Sequence, residues 1–204
     1  MNTTLNQQDR NQDIVLEDEF LLTALKNRRS ISRVADEEPP EALIRTMLEA
    51  ATWAPNHHLT EPWRFFVFRG DSRAKLGAVM GDAAARRETE ADKAEAARGR
   101  MAPKPMRAPY VIAVAAEPDA SDRTFEIEEI AATAAATQNM LLAAEALGVG
   151  AIWRSGWVTY CDEVREFLGL SERATVLGFV YVGYTSIPAA ARIRRSADAV
   201  TTWM

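Results

Sequence analysis

The stretch from Thr124 to Leu147 limits the possible folds more than any other. Its 24 residues include eight alanines, so it predicts the longest helix of the chain. Alanine has the highest helix propensity, and its small side chain leaves the cylinder slim. Neighbouring backbones or a flat ligand can therefore approach this helix closely. Gly148 and Gly150 end it, the first as the left-handed residue past the C-terminus. Upstream, Tyr110 to Ala116 (YVIAVAA) is a continuous apolar run of strand length and reads as a central strand.

The other elements follow from periodicity and breakers. Phe20, Leu21, Ala24 and Leu25 recur at helical spacing, predicting an amphipathic helix over about Leu16 to Asn27. A second helix follows Pro39 and Pro40, with Leu43, Ile44, Met47, Leu48 and Ala51 on one face. Trp63 to Phe68 is aromatic and β-branched and reads as a buried strand. Gly70 and Asp71 then turn the chain into a helix with Leu76, Val79 and Met80. After the long helix, VGAIWRSGW reads as a strand entering a loop, with a short helix over about Cys161 to Leu168 that Thr159 could cap. Val176 to Tyr184 is the last strand, and Thr185 to Met204 an irregular tail holding Arg192, Arg194 and Arg195. The order of elements describes an α+β layer structure. With no internal repeat and no Gly- or Ser-rich linker, residues 16–204 form one domain behind a frayed polar tail, 1–15.

Between the second helix and the first strand lies Ala54 to Phe66, APNHHLTEPWRFF. Pro55 stops the helix and Pro62 forces an extended entry into the strand. The result is a short, stiffened polar loop holding both histidines of the chain, His57 and His58. Loops fixed by a rigid scaffold are where binding and chemistry concentrate.

Charge and cysteine content exclude several classes. A net charge of -5 argues against broad nucleic-acid binding, which needs a basic surface. One cysteine forbids an intrachain disulfide and fits a reducing, cytoplasmic compartment. The first residues lack the apolar core of a signal peptide, and no apolar run approaches the roughly 20 residues needed to span a bilayer. Within this acidic chain, Arg86 to Arg107 stands apart, with seven basic and four acidic residues and no Leu, Ile or Val. It reads as a solvated helical excursion ending at Pro103 and Pro105. Its role is open between an exposed, salt-laced flap and a mobile basic lid that attracts an anionic substrate such as a nicotinamide dinucleotide.

Familiar catalytic signatures do not occur. Adjacent histidines point apart on regular structure, and with one cysteine no zinc spacing exists. Cys161 near a helix start could gain a lowered pKa, although a half-buried inert thiol is the plainer reading. There is no G-x-S-x-G, Walker loop or G-x-G-x-x-G, and the glycines of GVGAIW follow a helix where a dinucleotide-binding turn would open one. Three separated clusters remain. Arg28, Arg29 and Ser30 offer paired guanidiniums and a hydroxyl suited to a phosphate. Trp153 to Gly156 offers a flat ring, a guanidinium and loop amides, and the Ala54 loop adds imidazoles and prolines. Together they could hold a ligand with a phosphate at one end and a planar polar ring at the other.

RRSISR, then APNHHLTEPWRFFV some 25 residues later, then GVGAIWRSG resemble the nitroreductase family of FMN-dependent oxidoreductases, closest to its small YdjA-like branch. The resemblance extends over most of Phe20 to Tyr184. It implies an intertwined homodimer with FMN at the subunit interface and a central, mainly antiparallel sheet flanked by helices. It also implies ping-pong hydride transfer through flavin N5, from NADH or NADPH to nitroaromatics, quinones or other small, flat, electron-poor acceptors. Carried over by position, Arg28, Arg29 and Ser30 meet the FMN phosphate and ribityl chain. Trp53, Pro55 and His57 line the flavin, and Trp153, Arg154 and Ser155 lie against its ring system. No metal is implied, and the hydride chemistry belongs to the flavin, with no protein nucleophile.

The sequence departs from the family pattern in three places. Ser32 stands where many members have a basic residue, Leu59 where asparagine is common, and Glu61 where glutamine is common. The missing positive charge near flavin N1 would have to come from Arg154 or from the partner chain. The same fold also hosts reductive dehalogenation, flavin breakdown and FMN binding without turnover, since fold does not fix chemistry.

Overall fold

The computed structural model describes residues 19–119, 124–186 and 193–204. The expected tail 1–15, residues 16–18 of the first expected helix and Arg192 lie outside the described residues. Helices α1 (Glu19–Asn27) and α2 (Glu41–Thr52) precede strand β1 (Trp63–Arg69). Helices α3 (Ser72–Ala85) and α4 (Ala91–Met101) precede β2 (Tyr110–Ala116). Then come α5 (Glu126–Ala146), β3 (Gly150–Arg154), α6 (Asp162–Phe167) and β4 (Thr175–Gly183). The strands form one four-stranded sheet in the order β1-β2-β4-β3, with every neighbouring pair antiparallel. The α+β class and the antiparallel sheet are as the sequence implies.

Every residue of β2 is buried, so both faces of the sheet are covered. Side chains alternate along a strand, which divides the core in two. Tyr110, Ile112 and Val114 pack with Val180, Val182 and Ala151 beneath α2 and α5. Val111, Ala113 and Ala115 pack with Phe179 and Tyr181 beneath α3, α4 and α6. The buried stripe of α5 is Ala132, Thr133, Ala136, Thr137, Met140, Leu141 and Ala144, mostly small side chains that let the long helix sit close to its neighbours.

The pairing of β2 with β4 slips between Val114 and Ala115, leaving Leu177 as the extra residue of a bulge. A one-residue slip moves later side chains to the other face. Val176 accordingly joins the α3 side, although Val180 and Val182 lie on the α5 side.

One irregular segment crosses the end of the sheet where β3 and β2 begin and β4 and β1 finish. Ile31 donates its N–H to the Ala151 carbonyl at 3.0 Å, and Ala35 donates to Tyr184 at 2.8 Å. Further along, the Tyr110 hydroxyl donates to Glu38 at 2.9 Å, and Arg69 reaches the same carboxylate at 3.6 Å. Gly150 and Gly183 make the crossing possible: a Cβ on either would lie 2.9 Å from a methyl of Ile31 or Val34, respectively.

Two expectations are corrected. Residues 86–107 are helical and mostly exposed, as expected, but they are not an unpacked excursion. They hold α4, which packs on α3 with Ala97 and Met101 buried. Leu, Ile and Val are unnecessary because α3 presents Gly77 and Gly81 at the contact, and a Cβ at Gly77 would collide with the Ala102 carbonyl. Nor does Thr159 cap the short helix: Cys161 holds that position, and Thr159 is buried in a 3-10 turn, Trp157–Tyr160. Among the described residues no helix is long and apolar enough to cross a membrane.

The α3–α4 contact yields the first test. Gly77→Ala places a methyl against the Ala102 backbone, so the two helices must separate. We expect a loss of about 1–3 kcal/mol, read as a lower urea midpoint with an unchanged slope.

Candidate functional site

The carboxyl end of α1 delivers Arg28, Arg29 and Ser30 beside the start of β3. Arg29 is turned back on its own helix end, where its guanidinium donates to the carbonyls of Lys26 and of Arg28, the latter at 2.9 Å. Arg28 differs: its Nε is buried without a hydrogen-bond partner among the described residues. Ser30 is exposed. A guanidinium N–H sequestered from water without an acceptor is costly unless a ligand supplies one.

Trp153 lies three residues along β3 from Gly150, about 10 Å at strand rise. Its indole donates to the Leu177 carbonyl at 3.2 Å, the extra residue of the β4 bulge. Bare Gly178 lies beneath the ring, because a Cβ there would strike the indole nitrogen. The bulge therefore frees the carbonyl and glycine clears the space, fixing the ring on the α5 side of the sheet. Arg154 points to the opposite face, its guanidinium 5.8 Å from the centre of the Tyr181 ring. Burial pushes the Tyr181 hydroxyl up from its ordinary pKa, against the opposing pull of Arg154 and Arg107.

The Ala54 loop occupies another corner. It enters β1 at the far end of the sheet, where the Glu117 N–H donates to the Pro62 carbonyl at 2.8 Å. Three of its residues that are not glycine hold positive φ: His58 at 51°, Leu59 at 54° and Glu61 at 46°. Such backbone costs about 1 kcal/mol or more per residue and persists only where its surroundings enforce it. Asn56 Oδ1 accepts from the Glu61 N–H at 3.1 Å, and Thr60 Oγ1 donates to Glu129 Oε1 at 2.9 Å. His57 Nδ1 stands 3.3 Å from Glu128, whose other oxygen accepts from the Phe125 N–H at 3.0 Å. The first turn of α5 thus clamps the loop.

The structure brings Arg28, Arg29 and Ser30 beside the start of edge strand β3, with Trp153 and Arg154 further along it on opposite faces. It does not bring Trp53, Pro55 and His57 to them. Three inter-strand gaps separate β1 from β3, and with strand lengths added the Arg28 and His57 corners lie about 25 Å apart diagonally. Beside His57 the surface is apolar: Trp53 is 79 % exposed and Leu59 83 %, with Phe125 and Ile127 also in solvent. Cys161 is no nucleophile candidate, since burial pushes its thiol up and its Sγ donates to the Val158 carbonyl at 3.1 Å.

Comparison with known proteins now decides the family. Residues 25–184 match the nitroreductase family. The chain belongs to that family. It is 34% identical over 172 residues to YdjA of Escherichia coli strain K12, provisionally named an NAD(P)H nitroreductase, covering 84% of this chain and 92% of YdjA. Among solved structures, a nitroreductase-like family protein from Bacillus cereus aligns with a TM-score of 0.78 at 26% identity, covering 100% of this chain and 98% of that one. A provisionally named nitroreductase from Desulfovibrio desulfuricans, in complex with FMN, aligns at 0.66 with 27% identity over 90% of this chain and 96% of that one.

In this nitroreductase-family chain, residues beyond the motifs support the site. Sequence reasoning passed over Gly178, although a glycine inside a strand pattern marks a bulge or a close approach. Glu129 was signalled more faintly, as an acid on the same helical stripe as Ala132, Thr133 and Ala136. It is 1 % exposed, and its Oε2 and the hydroxyl of Thr133 are both buried without partners among the described residues. Among the described residues, Thr60 is the side chain whose bond to Glu129 ties the loop down. Thr60→Val should cost about 1–3 kcal/mol by leaving that carboxylate unpaired, with hydrogen exchange of the 56–61 amides rising more than that of β2.

Proposed function

We propose that this chain is an FMN-dependent NAD(P)H oxidoreductase of the nitroreductase or quinone-reductase type. In this reading it is a single domain over residues 16–204, cytoplasmic, and works as a homodimer. The observation that carries the reading is the buried, unpartnered Nε of Arg28, on the segment that Ile31 ties to the start of β3, the strand that carries a fixed indole. These residues fit FMN: a charged donor lacking an acceptor suits a phosphate or ribityl oxygen, and Ser30 adds a hydroxyl beside it. Trp153 gives a planar apolar wall, and the exposed Ser155–Gly156 turn gives free amides. When bound, FMN supplies the two-electron carrier between NAD(P)H and the acceptor.

What the chain contributes is binding, orientation and exclusion of water. Arg28, Arg29 and Ser30 hold the anionic end, and Trp153, Arg154 and Ser155 border the ring system. Trp53, Pro55 and His57 stand at the diagonal corner, too far to reach the same ligand within one chain. A second copy resolves this, bringing its own Ala54 loop over the β3 edge of the first. The apolar surface around His57 supports such an interface, as does the segment 193–204. Its Ile193, Val200, Trp203 and Met204 are all exposed, with Trp203 at 89 %. Large apolar side chains displayed in this way mark association surfaces.

Purified protein supplied with FMN should turn yellow, bleach on addition of NADH or NADPH, and recover colour with an added quinone. Arg28→Ala should weaken FMN binding about tenfold or more, the loss of one charge-assisted bond. Phe125→Asp should shift sedimentation from dimer to monomer and release the flavin with it. A yellow protein that neither reductant bleaches would be a flavin binder without turnover, and a protein that stays colourless with FMN would defeat the reading.

A further inference from the structure

Residues 86–107 carry seven basic side chains, and the structure sorts them into two groups. Arg86, Lys93 and Arg98 are paired, with Glu163, Glu90 and Asp82 respectively. Arg87, Arg100, Lys104 and Arg107 form no ion pair among the described residues, and these same four line one cavity of about 660 Å³ between α3, α4 and Trp157. Glu88 is the one acid in its wall. The division is what an anion site requires, because cations committed to carboxylates cannot hold a ligand.

The cavity is built rather than an accident of surface charge. Its apolar lining is Ala84 of α3 with Ala97 and Met101 of α4, all buried where the two helices pack. Arg87 lies over the Trp157 ring, 4.7 Å from its centre, so this guanidinium is held in place. Lys104 is half-buried. Burial, together with repulsion from Arg107 and Arg154, depresses its pKa. Repulsion among four cations that share a wall with a single acid is relieved when an anion enters.

Its position connects it to the site already described. Trp157 follows Trp153 and Arg154, the last residues of β3, after a short turn through Ser155 and Gly156. Arg154, which borders the ring system under the functional reading above, also lies close enough to Lys104 to disfavour its charge. A ligand that bends around the β3 edge from Trp153 would meet Arg154 on the side of this cavity.

We propose that the cavity receives the phosphate groups of the dinucleotide reductant, and that it selects the phosphate monoester found on NADPH and absent from NADH. The monoester carries about -1.5 to -2 charge with three free oxygens, matching several converging donors better than the diesters that both dinucleotides share. The identity of the dinucleotide rests on the flavin reading, whereas the presence of an anion site does not. The site residues are exposed or half-buried, so their truncation leaves the core intact.

Two measurements separate these parts. Equilibrium binding of adenosine 2′,5′-bisphosphate and of adenosine 5′-monophosphate to the purified protein needs no turnover. The bisphosphate should bind at least tenfold more tightly, an advantage that Arg100→Ala and Lys104→Ala each cut severalfold and that added salt erodes. In the FMN-loaded protein, the ratio of kcat/KM for NADPH over NADH in flavin bleaching should favour NADPH and fall by tenfold or more in the double variant. Equal binding of the two adenosine phosphates, or a ratio untouched by the double variant, overturns the proposal. If neither dinucleotide bleaches the flavin, the functional reading falls and the binding measurement still decides the anion site.

Discussion

A sheet buried on both faces leaves a ligand only its rim. Each residue of β2 is enclosed, so the peptide groups of the central strands must find partners inside the sheet. Helices α2 and α5 close one face, and α3, α4 and α6 close the other. Open strand backbone is then confined to strand ends and to the outer edges of β1 and β3. Three features with chemical potential lie there: Arg28 with its buried Nε, the strained loop of His58, Leu59 and Glu61, and the Trp153 turn.

Confinement to the rim explains why the clusters lie apart. The segment after Ser30 must cross the strand ends, because Ile31, Ala35 and Glu38 engage β3, β4 and β2 in turn. That fixes Arg28 at the β3 corner. The Ala54 loop must enter β1 from the opposite end, so His57 is fixed at the diagonal corner. No side-chain rotation closes a gap of about 25 Å. A site that draws on both corners therefore requires association, and the apolar surface beside His57 gives a second copy something to bury.

Much of this was legible in the residues, and the failures share one cause. The strand Tyr110–Ala116, the helix after Pro40 and the left-handed Gly148 follow from local pattern, and the structure shows each of them. The RRS, APNHH and WRSG stretches were legible as special because proline, histidine and guanidinium are unusual in such settings. Packing by absence was not legible. The segment 86–107 has no Leu, Ile or Val, and the packing of its helix depends on Gly77 and Gly81 in a different helix. Thr159 looked like a cap because a cap is a local signal, and a tertiary contact buried it instead. The separation of Arg28 from His57 depends on strand order, which neither stretch encodes.

The same reasoning bears on the two faces of β3. Strand alternation puts Trp153 on the α5 side and Arg154 on the α3 side, so consecutive residues serve different surroundings. Trp153 is immobilised by the Leu177 carbonyl and the bare Gly178, giving a planar wall that does not need to rearrange. Arg154 instead joins Lys104 and Arg107 in a field of like charge around Tyr181. An edge strand can in this way offer an apolar plane on one side and an anion-attracting field on the other. A reductant with a flat ring at one end and phosphates at the other has that same division, and only a strand with this alternation presents both within two residues.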